Sequence, residues 1–490
     1  MANDHATGDS QPKPAAVQLA EKIAELKTEA DLSDNKLAVK VGYSRQYVSG
    51  AQKVGKNLPA LNLVAALDNA LGAGGQLIAL HARAKQEQLR LRERITAQPI
   101  SPSVQSNSPS VRDAALTEFV QSSQEQWLRV RNAPGVRGRE LTELAAWLYP
   151  DSQRGPGGHV LTGPGWLLDE PVELDDVHLL WSDTQPSAPI LAPVDHVLPL
   201  TDRGNKYTNY SRAVRDLVRP RLLENRLSYR LLDVQASGNL KLTFGTTSFF
   251  ETFDAKQSVA HEFKAAWLAA DRSVPHWDAL PLRAAIGDPF DPDRLLMSPG
   301  INTLTIRRSR DGDHRFVLHE RDGGKVADGG GLCHVMPAGE FQPSSVDPTD
   351  VYNDFSLWRN IMREFSEEFL GNPEHDGNSP QPIDYANEEP FRSFERCRDA
   401  GSFRLWHYGL VIEPLELGAM QLTVAVIDDH SFDELFANLV RINDEGKIVG
   451  GNGRTDMPFS GEAIERLNPR LSASALTLLR IAWRDRALLL

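Results

Sequence analysis

The chain has 490 residues, 41% of them hydrophobic and 24% charged, with a formal net charge of −13 and two cysteines. That length is too great for one core and implies two to four domains. No apolar run reaches the roughly 18 residues of a membrane span, and two cysteines argue against both a disulfide framework and a thiolate metal site. A reducing, cytoplasmic setting and no membrane partner are the expectation.

The charge is unevenly distributed. Residues 1–100 hold 13 Lys and Arg against 10 Asp and Glu, a net of +3, while the rest holds 40 against 56, a net of −16. A small basic head on a large acidic body places any phosphate-binding surface in the head.

In chain order, residues 1–15 are polar and read as a disordered tail. Between 16 and 80 apolar residues recur at helical spacing. A first helix over Leu19–Ala30 points Ile23 and Leu26 inward. Ser33 can cap a second helix, whose apolar face is Leu37, Ala38 and Val41. Gly42 allows a tight turn into a third helix over Ser44–Lys53, with Val48 buried. Leu61, Val64, Leu67 and Leu71 form a further helix. Residues 81–95 are a basic helix, and 96–113, rich in Pro, Ser and Gln, read as a flexible linker.

The stretch LSDNKLAVKVGYSRQYVSGAQKV, followed by LPALNLVAALDNALG, resembles the Cro/C1-type (XRE) helix-turn-helix regulators. The resemblance implies that the third helix enters the major groove of double-stranded DNA. Arg45 and Gln46 then hold the base-reading positions, where Arg suits guanine and Gln adenine. Ser44, Tyr47, Ser49, Lys53 and Lys56 are the implied phosphate contacts. Family members commonly act as dimers, so a homodimer is expected. This chain departs from the pattern in three places. Asp34 stands where the family often has a phosphate-contacting Gln, Gly50 offers no side chain at a third base-reading position, and Gln52 stands where Glu is common. The same bundle could serve as a protein-interaction module, which is the competing reading of the head.

A middle region, 114–291, reads as mixed α/β of unknown role. It has helical spacing over Leu116–Leu148 and Tyr210–Leu223, the latter carrying Arg212, Arg215 and Arg219. Tyr229–Val234 and Leu240–Phe244 flank Ala236-Ser-Gly-Asn239 as a hairpin. The arginines read as a solvated face rather than an anion site.

From 292 to 490 the pattern is α+β. Strands are expected at Ile301–Arg307, Arg315–His319, Arg404–Ile412 and Gln421–Ile427. Helices are expected at Asp354–Leu370, Ser431–Ile442 and Ser472–Leu489. In WRNIMREFSEEFLG, Trp358, Ile361, Met362, Phe365 and Phe369 share one face. Glu364, Glu367 and Glu368 fall at i, i+3 and i+4 beside Arg363, a spacing that suits Mg²⁺ or Mn²⁺ as well as an exposed acidic face.

REFSEEFLG, preceded by Val335-Met-Pro-Ala-Gly-Glu340, resembles the box of the Nudix family. The resemblance implies an α/β/α domain, Glu364, Glu367 and Glu368 as metal ligands with Glu367 the candidate catalytic residue, and Gly339 and Arg363 at a nucleotide-like ligand. Gly339 precedes Arg363 by 24 residues, about ten more than in the family, and Ser345 falls where an early Glu is usual. Weaker candidates are Gly329-Gly-Gly331 near a phosphate, His319, His334 and His407 as proton carriers, and Glu340 and Glu413 as a further ligand or base; each reads more simply as structural. The whole is expected to be a multidomain α+β regulator whose all-α head binds DNA and whose Nudix-like domain senses a ligand. The alternative is a metal-dependent pyrophosphohydrolase with an accessory head.

Overall fold

In the computed structural model, the described residues are 13–41, 45–53, 58–59, 61–97, 111–133, 136, 138–184, 189, 194–220, 223–236, 239–321, 331–373, 382–440, 446–449 and 455–490. The chain is mixed helix and sheet. It divides into two compact units. One comprises 1–107 with 370–373 and 438–444, and the other comprises 108–369, 374–437 and 445–490.

The first unit contains α1 (Ala15–Glu29), α2 (Asp34–Val41), α3 (Arg45–Ala51), α4 (Leu61–Ala70) and α5 (Gln76–Ala97). Leu19, Ile23, Leu37, Val48, Leu63, Val64, Leu67 and Leu77 form its core, the i, i+3, i+4 sets that the sequence presents. Asp68 accepts the amides of Gly75 and Leu77 and so caps the start of α5 from the end of α4. Residues 42–44, where a turn at Gly42 is expected, and most of the polar tail lie outside the described residues. So do 98–110 of the expected linker, while its ends belong to α5 and α6.

The second unit begins with α6 (Val111–Asn132) and α7 (Glu140–Ala146), then β1 (Leu167–Glu173), β2 (His178–Trp181), α8 (Tyr210–Ala213), β3 (Leu227–Gln235), β4 (Lys241–Ser248), α9 (Phe249–Ala269) and α10 (Pro281–Ile286). It continues with β5 (Gly300–Arg308), β6 (Arg315–Phe316), β7 (Leu318–Arg321), β8 (Cys333–Val335), β9 (Ala338–Gly339), α11 (Pro348–Asn353), α12 (Leu357–Glu364) and α13 (Phe391–Asp399). The remaining elements are β10 (Phe403–Ile412), β11 (Ala419–Asp428), α14 (Asp429–Leu435), β12 (Gly446–Val449), β13 (Met457–Pro458), α15 (Gly461–Leu467), α16 (Ala473–Arg484) and α17 (Arg486–Leu489).

Several elements end earlier than periodicity predicts. The helix expected over Leu116–Leu148 is two helices, the first ending at Asn132 where Ala133 takes φ 40°. The helix expected over Tyr210–Leu223 is α8 plus a π-helical turn that stops at Val218, where Arg219 takes φ 55°. β3 and β4 pair antiparallel as expected, and β2 adds to β4 in parallel.

The principal sheet runs β1-β10-β11-β5-β6-β13, with β9 also on β5. Only β11 and β5 are parallel in it. The expected boundary at 291/292 falls inside this unit, since β1 pairs with β10. Side chains alternate across the strands. Leu304, Ile306, Leu422, Val424 and Val426 meet Leu476 and Leu479 of α16 on one face. On the other face the intervening Thr303, Thr305, Gln421 and Thr423 are fully buried. Their polar atoms are satisfied: the Thr303 and Thr423 hydroxyls bond each other at 2.7 Å, and Thr305 donates to the Met336 carbonyl at 2.7 Å. Beside them Phe365, Phe369, Phe394, Phe403 and Phe436 form a ring cluster with centroids about 5–6 Å apart. That cluster fixes the buried side of α12.

Candidate functional site

In the head, Val48 points inward and is fully buried, while Arg45 and Lys53 are exposed. Ser49 is half-buried. Ser44 and Lys56 lie outside the described residues, and of Gln46 and Tyr47 only the backbone, within α3, is described. A Cβ at Gly50 would have nothing within 4 Å, so no packing demand keeps a glycine there.

Two of the three departures from the family pattern prove to be partners. The Asp34 Oδ1 accepts from Lys27 Nζ at 2.5 Å and from Gln52 Nε2 at 3.0 Å. Gln52 Nε2 also donates to the Val48 carbonyl at 2.9 Å. These bonds, from Lys27 first and Gln52 second, hold the Asp34 carboxyl below its ordinary range. One carboxylate thus ties α1, α2 and the end of α3 together.

The body's candidate site is built on α12 and on the turn that carries Gly339. The Ser356 hydroxyl caps α12 by accepting the Arg359 amide, and the helix continues from Phe365 to Phe369 as a π-helical turn. Such a turn shifts the register of the residues within and beyond it, so Glu367 and Glu368 are rotated from where a regular i+3, i+4 helix would put them. β9 pairs Gly339 with Ile301. A Cβ at Gly339 would lie 2.2 Å from the Glu364 carboxylate, so only glycine lets that side chain lie over the strand. Glu368 is buried, with its Oε1 3.4 Å from the Ala338 amide; Glu364 and Glu367 are half-buried. Replacing Gly339 with Ala should displace the Glu364 carboxylate at a cost of about 1–3 kcal/mol. Urea unfolding followed by tryptophan emission measures it, and an unchanged midpoint would mean Glu364 moves aside freely.

Arg363 is 5% exposed. Its Nη2 donates to the Gln342 carbonyl at 2.5 Å and to Asn360 Oδ1 at 2.9 Å. Burial opposes its charge, but Tyr385, Asp354, Glu367 and Glu364 outweigh burial and hold its pKa above the ordinary value. It is committed to the protein rather than open to a ligand. Fully buried Asp354 accepts the Ser344 amide at 2.7 Å, the Ser344 hydroxyl at 2.6 Å and the Tyr385 hydroxyl at 2.7 Å. Tyr229 donates to the Val351 carbonyl at 2.8 Å. The residues between Gly339 and Arg363 are therefore a pinned wall holding α11, in which Ser345 donates to Asp350 at 2.5 Å.

Among the described residues no group of three or more His, Cys, Asp or Glu side chains is arranged to hold a metal ion. The Glu364 carboxylate lies over Gly339, and Glu368 Oε1 lies 3.4 Å from the amide of the neighbouring Ala338. Lys256 of α9 stands 3.8 Å from Glu340 across the same turn.

The weaker candidates resolve as structure. His407 is fully buried; its Nδ1 accepts the Gly409 amide at 2.9 Å, leaving Nε2–H to face Gln421 Oε1 at 3.4 Å. Burial lowers its pKa to about 4, so it is a neutral strand residue. His319 and His334 face each other across β7 and β8. Glu413 accepts from Thr142 and from the Glu416 amide, closing the β10–β11 turn. Arg212 pairs with Asp216 and Arg215 lies over Phe250, as a solvated helix face does. Gly329 and Gly330 are outside the described residues. Asp354 and Lys27 were not legible as site residues, because each matters through a partner that no local sequence pattern announces.

No family model matches the chain, and no curated protein matches it. No helix among the described residues is long and apolar enough to cross a membrane.

Proposed function

We propose that the protein is a sequence-specific DNA-binding transcriptional regulator of the Cro/C1 type, acting as a homodimer, whose Nudix-like body binds a nucleotide-like small molecule. One observation carries the reading of the head: α3 buries Val48 and presents Arg45 outward, with Lys53 exposed just past its end. That is the division of labour a groove-reading helix requires. For the body, the commitment of Arg363 and of the wall at 340–356 to internal hydrogen bonds favours a sensor over a hydrolase, and no step is assigned to a metal.

Selection on a random-sequence duplex library tests the head. A preferred sequence should emerge. Arg45→Ala should relax that preference by about 1–3 kcal/mol at one base pair, whereas Lys53→Ala should weaken all sequences and flatten the salt slope by about 0.9. Absence of any preferred sequence would sink the regulator reading. Turnover of nucleoside-diphosphate compounds with Mg²⁺ or Mn²⁺, abolished in Glu367→Gln, would replace the sensor by an enzyme.

A further inference from the structure

We infer that Asp34 is a resident competitor for DNA phosphate: by pairing with Lys27 it withholds one cation from the backbone and limits the affinity of the head for DNA of every sequence. This rests on the DNA-binding reading above.

The argument begins with position. Asp34 is the first residue of α2, and Lys27 sits in the last turn of α1. In a helix-turn-helix the first helix of the pair crosses the phosphate backbone while the second lies in the groove, and a helix start, where amides point outward, is where an anion docks. Here the anion is built in. Ser33 already accepts the Lys36 amide at 3.3 Å, so the helix start has its cap and the Asp34 carboxylate is turned to side chains instead.

The pair is neither a buried structural bridge nor a loose surface contact. Lys27 and Asp34 retain 19% and 23% of their side-chain exposure at a separation of 2.5 Å. A phosphate approaching α2 meets a carboxylate first, and reaches Lys27 only by displacing it. Arg45, the base-reading candidate, also stabilises the Asp34 anion by its charge. The same carboxylate is thus felt by two cations that DNA would otherwise engage. Gln52 completes the geometry: its amide holds Asp34 Oδ1 from the end of α3, so the carboxylate cannot simply swing away.

The cost is independent of base sequence, because it falls on a phosphate contact. Asp34→Asn separates charge from shape, since the Asn oxygen can still accept from Gln52. In that variant Lys27 is released to a phosphate. The slope of log K against log salt should steepen by about 0.9, and affinity near 0.1 M salt should rise about eightfold for preferred and random duplexes alike. The full-length protein serves for all measurements, with the thermal midpoint followed as a control for folding.

Lys27→Met in the Asp34→Asn background should return the slope to the wild-type value. An unchanged slope and affinity in folded Asp34→Asn would overturn the inference, as would a gain that persists without Lys27. If wild type and Asp34→Asn both fail to bind any duplex at low salt, the DNA-binding reading itself falls; if wild type binds and the variant's slope is unmoved, only the role of Asp34 does.

Discussion

Arg363→Met is expected to destabilise the body by about 3–5 kcal/mol, the usual result of removing one partner from a buried charged network. Met keeps the length of the side chain but leaves the Gln342 carbonyl without the guanidinium donor and Asn360 Oδ1 with only the Gln342 amide at 3.3 Å. It also removes the cation that neighbours the fully buried Asp354 carboxylate. The wall at 340–356 would then keep the bond from the Gln342 amide to Asn360 Oδ1, 3.3 Å long, as its link to the glutamate helix near that point. All nine tryptophans lie at Trp127 or beyond, so urea unfolding followed by their emission reports on the body and not on the head. A loss below about 1 kcal/mol would mean that the guanidinium fills space without anchoring the wall.

The second large effect is acid lability above the carboxylate range. Burial, first of all, lowers the pKa of His407 to about 4 and that of His261 to about 3. The His261 ring is stacked on Trp127, with its Nδ1 3.0 Å from the Tyr210 hydroxyl. In the unfolded chain both titrate near 6.5. Between pH 6.5 and about 4 the unfolded state therefore binds protons that the folded state refuses, and stability falls as pH falls. Each histidine contributes up to about 1.4 kcal/mol per pH unit in that window, a joint loss on the order of 4–5 kcal/mol by pH 4.5. A folded His407→Gln variant should keep about half the slope. A flat stability profile from pH 6.5 to 4.5 would show that the two rings accept protons in place.

How much of this was legible in the sequence depended on the range of the interaction. The head's core was readable because Leu37, Val48, Val64 and Leu67 obey a local period. The aromatic face of α12 was readable for the same reason. The hairpin of β3 and β4 announced itself through its turn. Two other features did not. The π-helical turn at Phe365–Phe369 shifts the register of Glu367 and Glu368 from that of a regular helix, and no local pattern marks such a turn. The pairing of Asp34 with Gln52 joined two departures that, taken one at a time, each looked like a loss of function. Together, one supplies the acceptor and the other the donor.

The pairing of β1 with β10 carries a consequence for how the protein is made. Val172 lies opposite His407, so the edge of the principal sheet cannot close until most of the polypeptide has left the ribosome. Loop closure over that span is slow, and until it happens the edge of β10 is open to other chains. The head, whose contacts are local, can fold during that interval. A truncated product ending near residue 400 would carry a folded head on an unfinished body prone to aggregate, whereas cutting the chain at 291/292 would remove an edge strand from a sheet rather than separate two domains.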